Sequence, residues 1–163
     1  MTDPNVQPSK SGPPPSFGIG VSKHLNHYVT VADTKAAGVL TIDLTLCGYF
    51  MTHTPDTTWP LIGHWFAVAF FLASIVAALS TLFPRTPKVG SSLIFWEDIC
   101  ARSSLDAYLA DLKLVDETEV ERQYGSQNFF VSKVLSAKYS RVRISMGALM
   151  AAIPFAVFRM IMG

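Results

Sequence analysis

The sequence predicts an all-α membrane protein with three transmembrane helices and a small helical cytoplasmic insert between the second and third. Three observations predict this class. The run Pro60–Phe83 contains no Asp, Glu, Lys or Arg. Half of the residues are hydrophobic and only 15% are charged, with a mean hydropathy of +0.32. The positive charges are absent from the short loop between the first two apolar segments, as expected for a loop outside the cytoplasm.

The second predicted span is 60–83. As a helix rising about 1.5 Å per residue, its roughly 24 residues reach about 36 Å, enough to cross a hydrocarbon core of about 30 Å with some tilt. A buried helix of a soluble protein is the alternative, but a soluble domain of this size has little use for so long an uncharged run.

Two further spans are predicted. A helix beginning near Val21 and ending near Thr52 is amphipathic in its first half and apolar over 36–52, the first span. A long helix from about Glu117 carries the third span, 144–162, and this continuity allows motion of its first half to reach the membrane. A rigid anchor with no switching is the alternative.

Orientation follows from the positive-inside preference. The loop His53–Trp59 has no Lys or Arg. Basic residues flank the predicted spans on the opposite side: Lys23, Lys35, Arg85, Lys88, Lys138, Arg141 and Arg143. We therefore expect a multi-pass membrane protein with a cytoplasmic N-terminus and a C-terminus on the opposite side of the membrane.

The remaining segments divide into a tail and an insert. Residues 1–18 are rich in Pro and Ser and are expected to be a disordered tail, leaving 19–163 as the membrane domain. Within the cytoplasmic region 84–143, Pro84–Pro87 should end the second span. Ser104 is a candidate N-cap for a helix over 105–115, and Asp116 opens the next helix.

The residue pattern gives no indication of an enzyme. Phosphate-binding, dinucleotide-binding, metalloprotease and hydrolase motifs are absent, so we expect no catalytic residue. Cys47 and Cys100 stand apart without a Cys/His cluster, and the four histidines lack metal-ligand spacing, so no metal site or cofactor is expected. A net charge of +1 does not indicate nucleic-acid binding.

Asp43 is the costly residue of the first predicted span. A carboxylate at mid-span costs about 2.5–3.5 kcal/mol on insertion scales. We expect Asp43 to be protonated and bonded to Thr41, Thr45 or a neighbouring chain, or to face water in an assembled pore.

Alanines at every fourth residue mark packing stripes, which join helices within the chain or between copies of it. The stripes are Ala69, Ala73 and Ala77 and, in the third span, Ala148, Ala152 and Ala156.

Four short motifs resemble one known family. They are ADTKAA at 32–37, PRT at 84–86, LIFWEDI at 93–99 and QNFFVSKVLSAKY at 127–139, in this order against the predicted spans. They are similar to the transmembrane effectors of bacterial Pycsar anti-phage defence. The resemblance implies a messenger, cyclic CMP or cyclic UMP, made by a neighbouring cyclase on infection. It also implies an effector of the cell inner membrane, which makes the predicted outer side of the C-terminus periplasmic. Such an effector impairs the inner membrane and kills the infected cell, a form of abortive infection.

The resemblance also extends to individual positions near the inner face, among which the candidate nucleotide-binding residues are Arg85, Phe95, Trp96, Gln127, Lys133, Lys138 and Tyr139. The matching positions are Asp33, Lys35, Pro84, Arg85, Phe95, Asp98, Gln127, Ser132, Lys133, Lys138 and Tyr139. Arg85, Lys133 and Lys138 have the charge to meet a phosphate, while Phe95, Trp96 or Tyr139 have the rings to stack on a base. Basic residues here also suit anionic lipid head groups. Asp33 and Lys35 do not share a helix face, so each is expected to pair with another element.

The expected function is therefore a messenger-activated membrane effector acting as a homo-oligomer in the lipid bilayer. A constitutive small channel or transporter and a non-conducting anchor for a soluble partner are the alternatives. Permeabilisation without messenger identifies the channel, and recruitment of a partner without permeabilisation identifies the anchor.

Overall fold

A computed structural model describes residues 15–83 and 92–162, and every regular element within them is helical. The elements are α1 (Pro15–Thr52), α2 (Thr58–Leu82), α3 (Trp96–Cys100), α4 (Leu105–Leu112) and α5 (Glu117–Met162). They form two compact units. The insert unit comprises residues 15–24 and 92–130, and the bundle unit comprises 25–83 and 131–162.

The helix boundaries follow the sequence expectations closely, with one difference at the start. α2 lies within two residues of the predicted span, and α5 has the predicted start and 46 residues. α1 ends at Thr52 as expected but begins at Pro15 rather than near Val21, so residues 15–18 of the predicted tail are helical. Proline is well suited to this position because the first helical N–H has no intrahelical acceptor. Two predicted segments lie outside the described residues. They are residues 1–14 of the tail and the turn Pro84–Pro87, which includes Arg85.

The bundle unit packs α1, α2 and α5 around a narrow buried seam. On α1 the buried residues recur at steps of three or four residues, which places them on one helix face: Ala32, Ala36, Val39, Asp43, Cys47 and Phe50. Phe50 meets Phe71 of α2 edge to face, with ring centroids 5.5 Å apart. Ala152 of α5 completes this apolar cluster. The outward faces of all three helices carry large exposed apolar side chains.

Two helices of the described chain, α2 and α5, are long and apolar enough to cross a membrane by length and composition. α1 does not meet the same criterion. Its apolar half contains Asp43 together with Thr41, Thr45 and Thr52, which lower its hydropathy. Two of the three predicted spans are thus supported, and the first stays a prediction.

The two alanine stripes lie in different environments. On α5, Ala152 is fully buried and its neighbours in the stripe are partly buried, so this stripe packs within the chain. On α2, Ala69 and Ala73 are exposed, because the buried face of that helix instead carries Ala67, Phe71 and Ser74.

Capping interactions define the helix starts of the insert unit. The Ser104 hydroxyl accepts a hydrogen bond from the Ala107 N–H at 3.2 Å, and Asp116 Oδ1 accepts one from the Glu119 N–H at 2.8 Å, as the sequence predicts. The predicted apolar face of α4 is only partly covered, because Leu105, Leu109 and Leu112 are exposed and the helix ends at Leu112 rather than near Val115.

α1 and α5 approach closely within the insert unit. A Cβ added at Gly18 would lie 3.0 Å from Cβ of Tyr124, so glycine permits this contact. The Gly18 carbonyl then accepts a hydrogen bond from Asn128 Nδ2 at 3.0 Å.

Candidate functional site

The polar residues predicted from ADTKAA meet those of the 127–139 motif inside the bundle unit. Lys138 Nζ of α5 donates to Asp33 Oδ1 of α1 in an ion pair. Next to this pair in both helices, the Lys35 ammonium lies 5.9 Å from the centre of the Tyr139 ring, within cation–π range. Four of the predicted site residues are thus neighbours, and Asp33 and Lys35 each pair with another element as expected.

The ion pair is asymmetric in burial. The Lys138 side chain is only 9% exposed, whereas that of Asp33 is 36% exposed. A buried ammonium needs an acceptor more than a half-exposed carboxylate needs a donor. Asp33 therefore neutralises Lys138, and Lys138 is better placed to join α1 to α5 than to meet an external phosphate.

An open groove follows one face of α5 beside this ion pair. It has a volume of about 510 Å³ and is lined by Ser132, Leu135, Ser136, Tyr139, Ser140 and Arg143. These positions lie three and four residues apart, so hydroxyls, a phenol ring and a guanidinium share one helix face. Guanidinium and hydroxyl groups are good donors to phosphate oxygens, and a phenol ring can stack on a base.

Lys133 and Arg143 give the same region its exposed positive charge. Lys133 was predicted from the sequence as a phosphate ligand. From the sequence, Arg143 is predicted only to orient the chain in the membrane. In the structure it lines the groove, because it lies four residues after Tyr139 on the same face of α5.

Three other predicted binding residues belong to the insert unit. Phe95 is the N-cap of α3, and Trp96 is 61% exposed. Gln127 is half-buried on α5. Arg85 lies outside the described residues.

Gln123 organises the insert unit and was missed by the sequence analysis. Its side chain is 6% exposed, and its Oε1 accepts hydrogen bonds from Ser92 Oγ at 3.0 Å and from the Leu93 N–H at 3.1 Å. The Tyr108 hydroxyl donates to the Leu93 carbonyl at 3.1 Å. These bonds hold the irregular start of the LIFWEDI segment, where backbone groups have no helical partner.

A second cavity, of about 470 Å³, lies in the insert unit and has the wrong charge for a phosphate. Carboxylates of Asp111, Asp116 and Glu119 line it, with one guanidinium from Arg122. Hydrogen bonds from Arg122, then from Gln123, lower the pKa of Glu119 to about 2, so this carboxylate is ionised at neutral pH. The same bond raises the pKa of Arg122.

Asp43 is enclosed at the centre of the bundle unit. Ser74 Oγ of α2 lies 2.5 Å from Asp43 Oδ2, and it also lies 2.8 Å from the Ser145 carbonyl oxygen of α5. All three residues are fully buried. The expected partners Thr41 and Thr45 are not used, because their hydroxyls donate to carbonyls of their own helix at 3.0 and 2.8 Å. The heptad-like buried seam of α1 is the pattern that places Asp43 inward.

Arg159 occupies the opposite end of the bundle unit. Its guanidinium donates to the His53 carbonyl and lies 4.8 Å from the centre of the Phe50 ring and 5.5 Å from that of Tyr49. It therefore ties the end of α5 to the loop after α1. Among residues 15–83 and 92–162, no group of three His, Cys, Asp or Glu side chains is arranged to hold a metal ion.

An all-helical chain with two helices suited to crossing a bilayer, and polar contacts between its helices, has the features of an α-helical membrane protein. The chain belongs to the Pycsar effector family: the family model described as the Pycsar effector protein domain (PycTM) matches residues 21–163. A curated relative, the Pycsar effector protein SaPycTM of Staphylococcus aureus, is 26% identical over 128 residues, which cover 74% of this chain and 77% of the relative. No solved structure matches the chain.

Family membership confirms the resemblance carried by the four motifs. It supports an anti-phage effector role and, with the two apolar helices, indicates a membrane location.

Proposed function

We propose that this protein is a messenger-activated membrane effector: a cyclic pyrimidine nucleotide, cyclic CMP or cyclic UMP, binds at the groove of α5 and triggers impairment of the inner membrane. The observation that carries this proposal is the groove itself, in which Tyr139, Arg143 and three serine hydroxyls share one face of α5 beside the Asp33–Lys138 ion pair. In this arrangement Arg143 and the hydroxyls receive the phosphate, and the Tyr139 ring stacks on the base.

The proposed topology has three spans, with α1 contributing the first. The exposed face of α1 beyond Ala36 carries Ile42, Leu44 and Met51, which are half or more exposed and suit contact with lipid. With the N-terminus in the cytoplasm, the groove lies at the inner membrane interface and Arg159 at the outer one. The neighbouring cyclase then delivers its product to the side on which the groove opens.

Coupling from the groove to the membrane passes along α5. This helix has 46 residues and contains both the groove and the third predicted span. The nucleotide can shift the assembly only by its differential affinity for two states. The Asp33–Lys138 pair and the Lys35–Tyr139 contact join α5 to α1 beside the groove, so displacement of either contact changes how the two helices pack. The active state is proposed to be a homo-oligomer, which breaches the bilayer as a pore or by bulk disruption.

The test uses the full chain reconstituted in vesicles loaded with a fluorescent dye. Cyclic CMP and cyclic UMP are each added outside, with cyclic AMP and non-cyclic CMP as controls. We expect dye release or loss of an imposed potential only with a cyclic pyrimidine nucleotide. Release without any nucleotide would instead identify a constitutive channel, and no release with any of them would favour an anchor for a soluble partner.

Two matched variants test the location of the binding site. Arg143→Ala removes the guanidinium of the groove, and we expect at least a tenfold weaker response because a charge-assisted bond contributes about 1.5–3 kcal/mol. Arg141→Ala removes the same charge two residues away, outside the groove lining. Equal loss in both variants would assign the effect to general interfacial charge and contradict the proposed site.

A further inference from the structure

The contacts of Ser74 cannot all be made by a single serine proton if Asp43 is ionised. Ser74 Oγ lies within hydrogen-bond distance of three oxygens: Asp43 Oδ2 at 2.5 Å, the Ser145 carbonyl at 2.8 Å and Ser145 Oγ at 3.1 Å. A serine hydroxyl has one proton to donate and two lone pairs to accept. A carboxylate and a carbonyl are both acceptors only, so an ionised Asp43 and the Ser145 carbonyl would compete for one proton.

A proton on Asp43 Oδ2 resolves this conflict. The carboxylic acid then donates to Ser74 Oγ, and the Ser74 hydroxyl donates its own proton to the Ser145 carbonyl. The Ser145 hydroxyl can donate to the remaining lone pair of Ser74. Every proton in this chain then has an acceptor, and the chain runs from α1 through α2 to α5.

The other carboxyl oxygen gives independent support. Asp43 Oδ1 is buried, and no described residue donates a hydrogen bond to it. An ionised carboxylate with one bare oxygen in an apolar seam would be very costly, whereas the carbonyl oxygen of a neutral acid tolerates that position better. Within residues 15–83 and 92–162, no ion pair involves Asp43.

The surrounding groups offer no compensating positive charge. On α1 the neighbouring titratable residue of the seam is Cys47, an uncharged thiol. On α2 it is His64, which stacks on Phe50 more than two turns from Ser74. On α5 the cation nearest Ser145 on the buried face is Lys138, which is paired with Asp33.

We propose that Asp43, Ser74 and Ser145 form a proton-binding site inside the bundle, and that the bound proton joins the three helices in the resting state. Loss of the proton to water leaves a buried carboxylate with no partner to neutralise it, which favours separation of α1 from α2 and α5. The activated assembly is then the state in which Asp43 is ionised and reaches water. Only this last step rests on the proposed function.

Infrared spectroscopy of the full chain in lipid vesicles at neutral pH tests the site without messenger or permeability. We expect a carbonyl-stretch band of a protonated carboxylic acid that is lost in Asp43→Asn. The control Asp33→Asn, on the same helix, should keep the band. Absence of the band in the wild type, or its persistence in Asp43→Asn, would overturn the proposal.

Two serine variants test the direction of the hydrogen bonds. Ser74→Ala removes the acceptor of the acid proton, so the band should shift to the higher frequency of an unbonded acid. Ser80→Ala is the matched control, because the Ser80 hydroxyl donates to the Ala77 carbonyl of its own helix at 2.8 Å. An unshifted band in Ser74→Ala would contradict the proposed link. If the infrared result holds while vesicles never respond to a cyclic nucleotide, the proton site stands and the proposed function fails.

Discussion

Lys138 of α5 and Asp33 of α1 form an ion pair across 105 positions of the chain. We expect the two ends of this pair to respond differently to mutation. Asp33→Ala leaves the 9%-exposed ammonium without an acceptor, which should lower the free energy of unfolding by about 1–3 kcal/mol. Lys138→Met leaves a carboxylate that is 36% exposed and can be solvated, so it should cost less. Thermal unfolding in detergent measures both.

The double variant provides the control for this pair. If the ion pair is the reason for the loss, Asp33→Ala combined with Lys138→Met should be no less stable than Asp33→Ala alone, because the unpaired ammonium has been removed. Simply additive losses would show that the two residues act independently.

The sequence predicted that Asp33 and Lys35 would pair with other elements, and it could not identify the partners. The i, i+2 spacing separates the two side chains on the helix surface, which is a local property. The identity of Lys138 and Tyr139 as partners depends on the register between α1 and α5. That register is set by the buried seam, in which Ala36 and Val142 pack in the same cluster.

The helices themselves were largely predictable because their cues are local. The length of the uncharged run 60–83 predicts α2. The capping residues Ser104 and Asp116 predict the starts of α4 and α5. Ser74 could not be recognised as the partner of Asp43, since a lone serine in an apolar helix has no distinctive spacing. Gln123 was missed because the two groups that donate hydrogen bonds to its side-chain oxygen, the Ser92 hydroxyl and the Leu93 N–H, lie about 30 residues away in sequence.

Gln123 is expected to be essential for the order of the insert unit. Gln123→Leu keeps the side-chain volume but removes the acceptor for the Leu93 N–H and the Ser92 hydroxyl. Leaving these part-buried donors unpaired should destabilise the unit by about 1–3 kcal/mol. Amide hydrogen exchange should show loss of protection over residues 92–100. The control Gln127→Leu, one turn along α5, should leave that protection unchanged, and equal loss in both variants would count against the specific network.

The ionised Glu119 carboxylate is expected to stabilise the insert unit, and this stabilisation should be lost in acid. Its pKa is lowered from 4.5 to about 2 by hydrogen bonds from Arg122 and Gln123. A lowered folded-state pKa means that the stabilisation is fully present above pH 4.5 and is lost as the pH falls toward about 2.

An NMR titration of the Glu119 carboxyl carbon should show its midpoint near 2, and Arg122→Ala should move that midpoint toward 4.5. Arg102→Ala is the control, because Arg102 pairs with Asp111 at 2.5 Å. A wild-type midpoint near 4.5 would contradict the two hydrogen bonds that Arg122 Nε and Nη2 donate to the Glu119 carboxylate, each at 2.6 Å.

Gly63 of α2 lies against α5 in the bundle unit, with little space for a larger side chain. A Cβ at this position would lie 2.8 Å from Phe158 Cδ1 and 3.4 Å from the Phe155 carbonyl oxygen. Because Phe158 is 38% exposed, its ring can turn outward to admit a methyl group, so Gly63→Ala should cost little. Gly63→Leu also reaches the α5 backbone and should lower the free energy of unfolding by about 1–3 kcal/mol through overpacking.

Gly48→Leu on α1 is the matched control, because a Cβ added at Gly48 meets nothing within 4 Å. Thermal unfolding in detergent should separate the two leucine variants. Equal stability would show that α2 and α5 do not pack at this distance in the membrane.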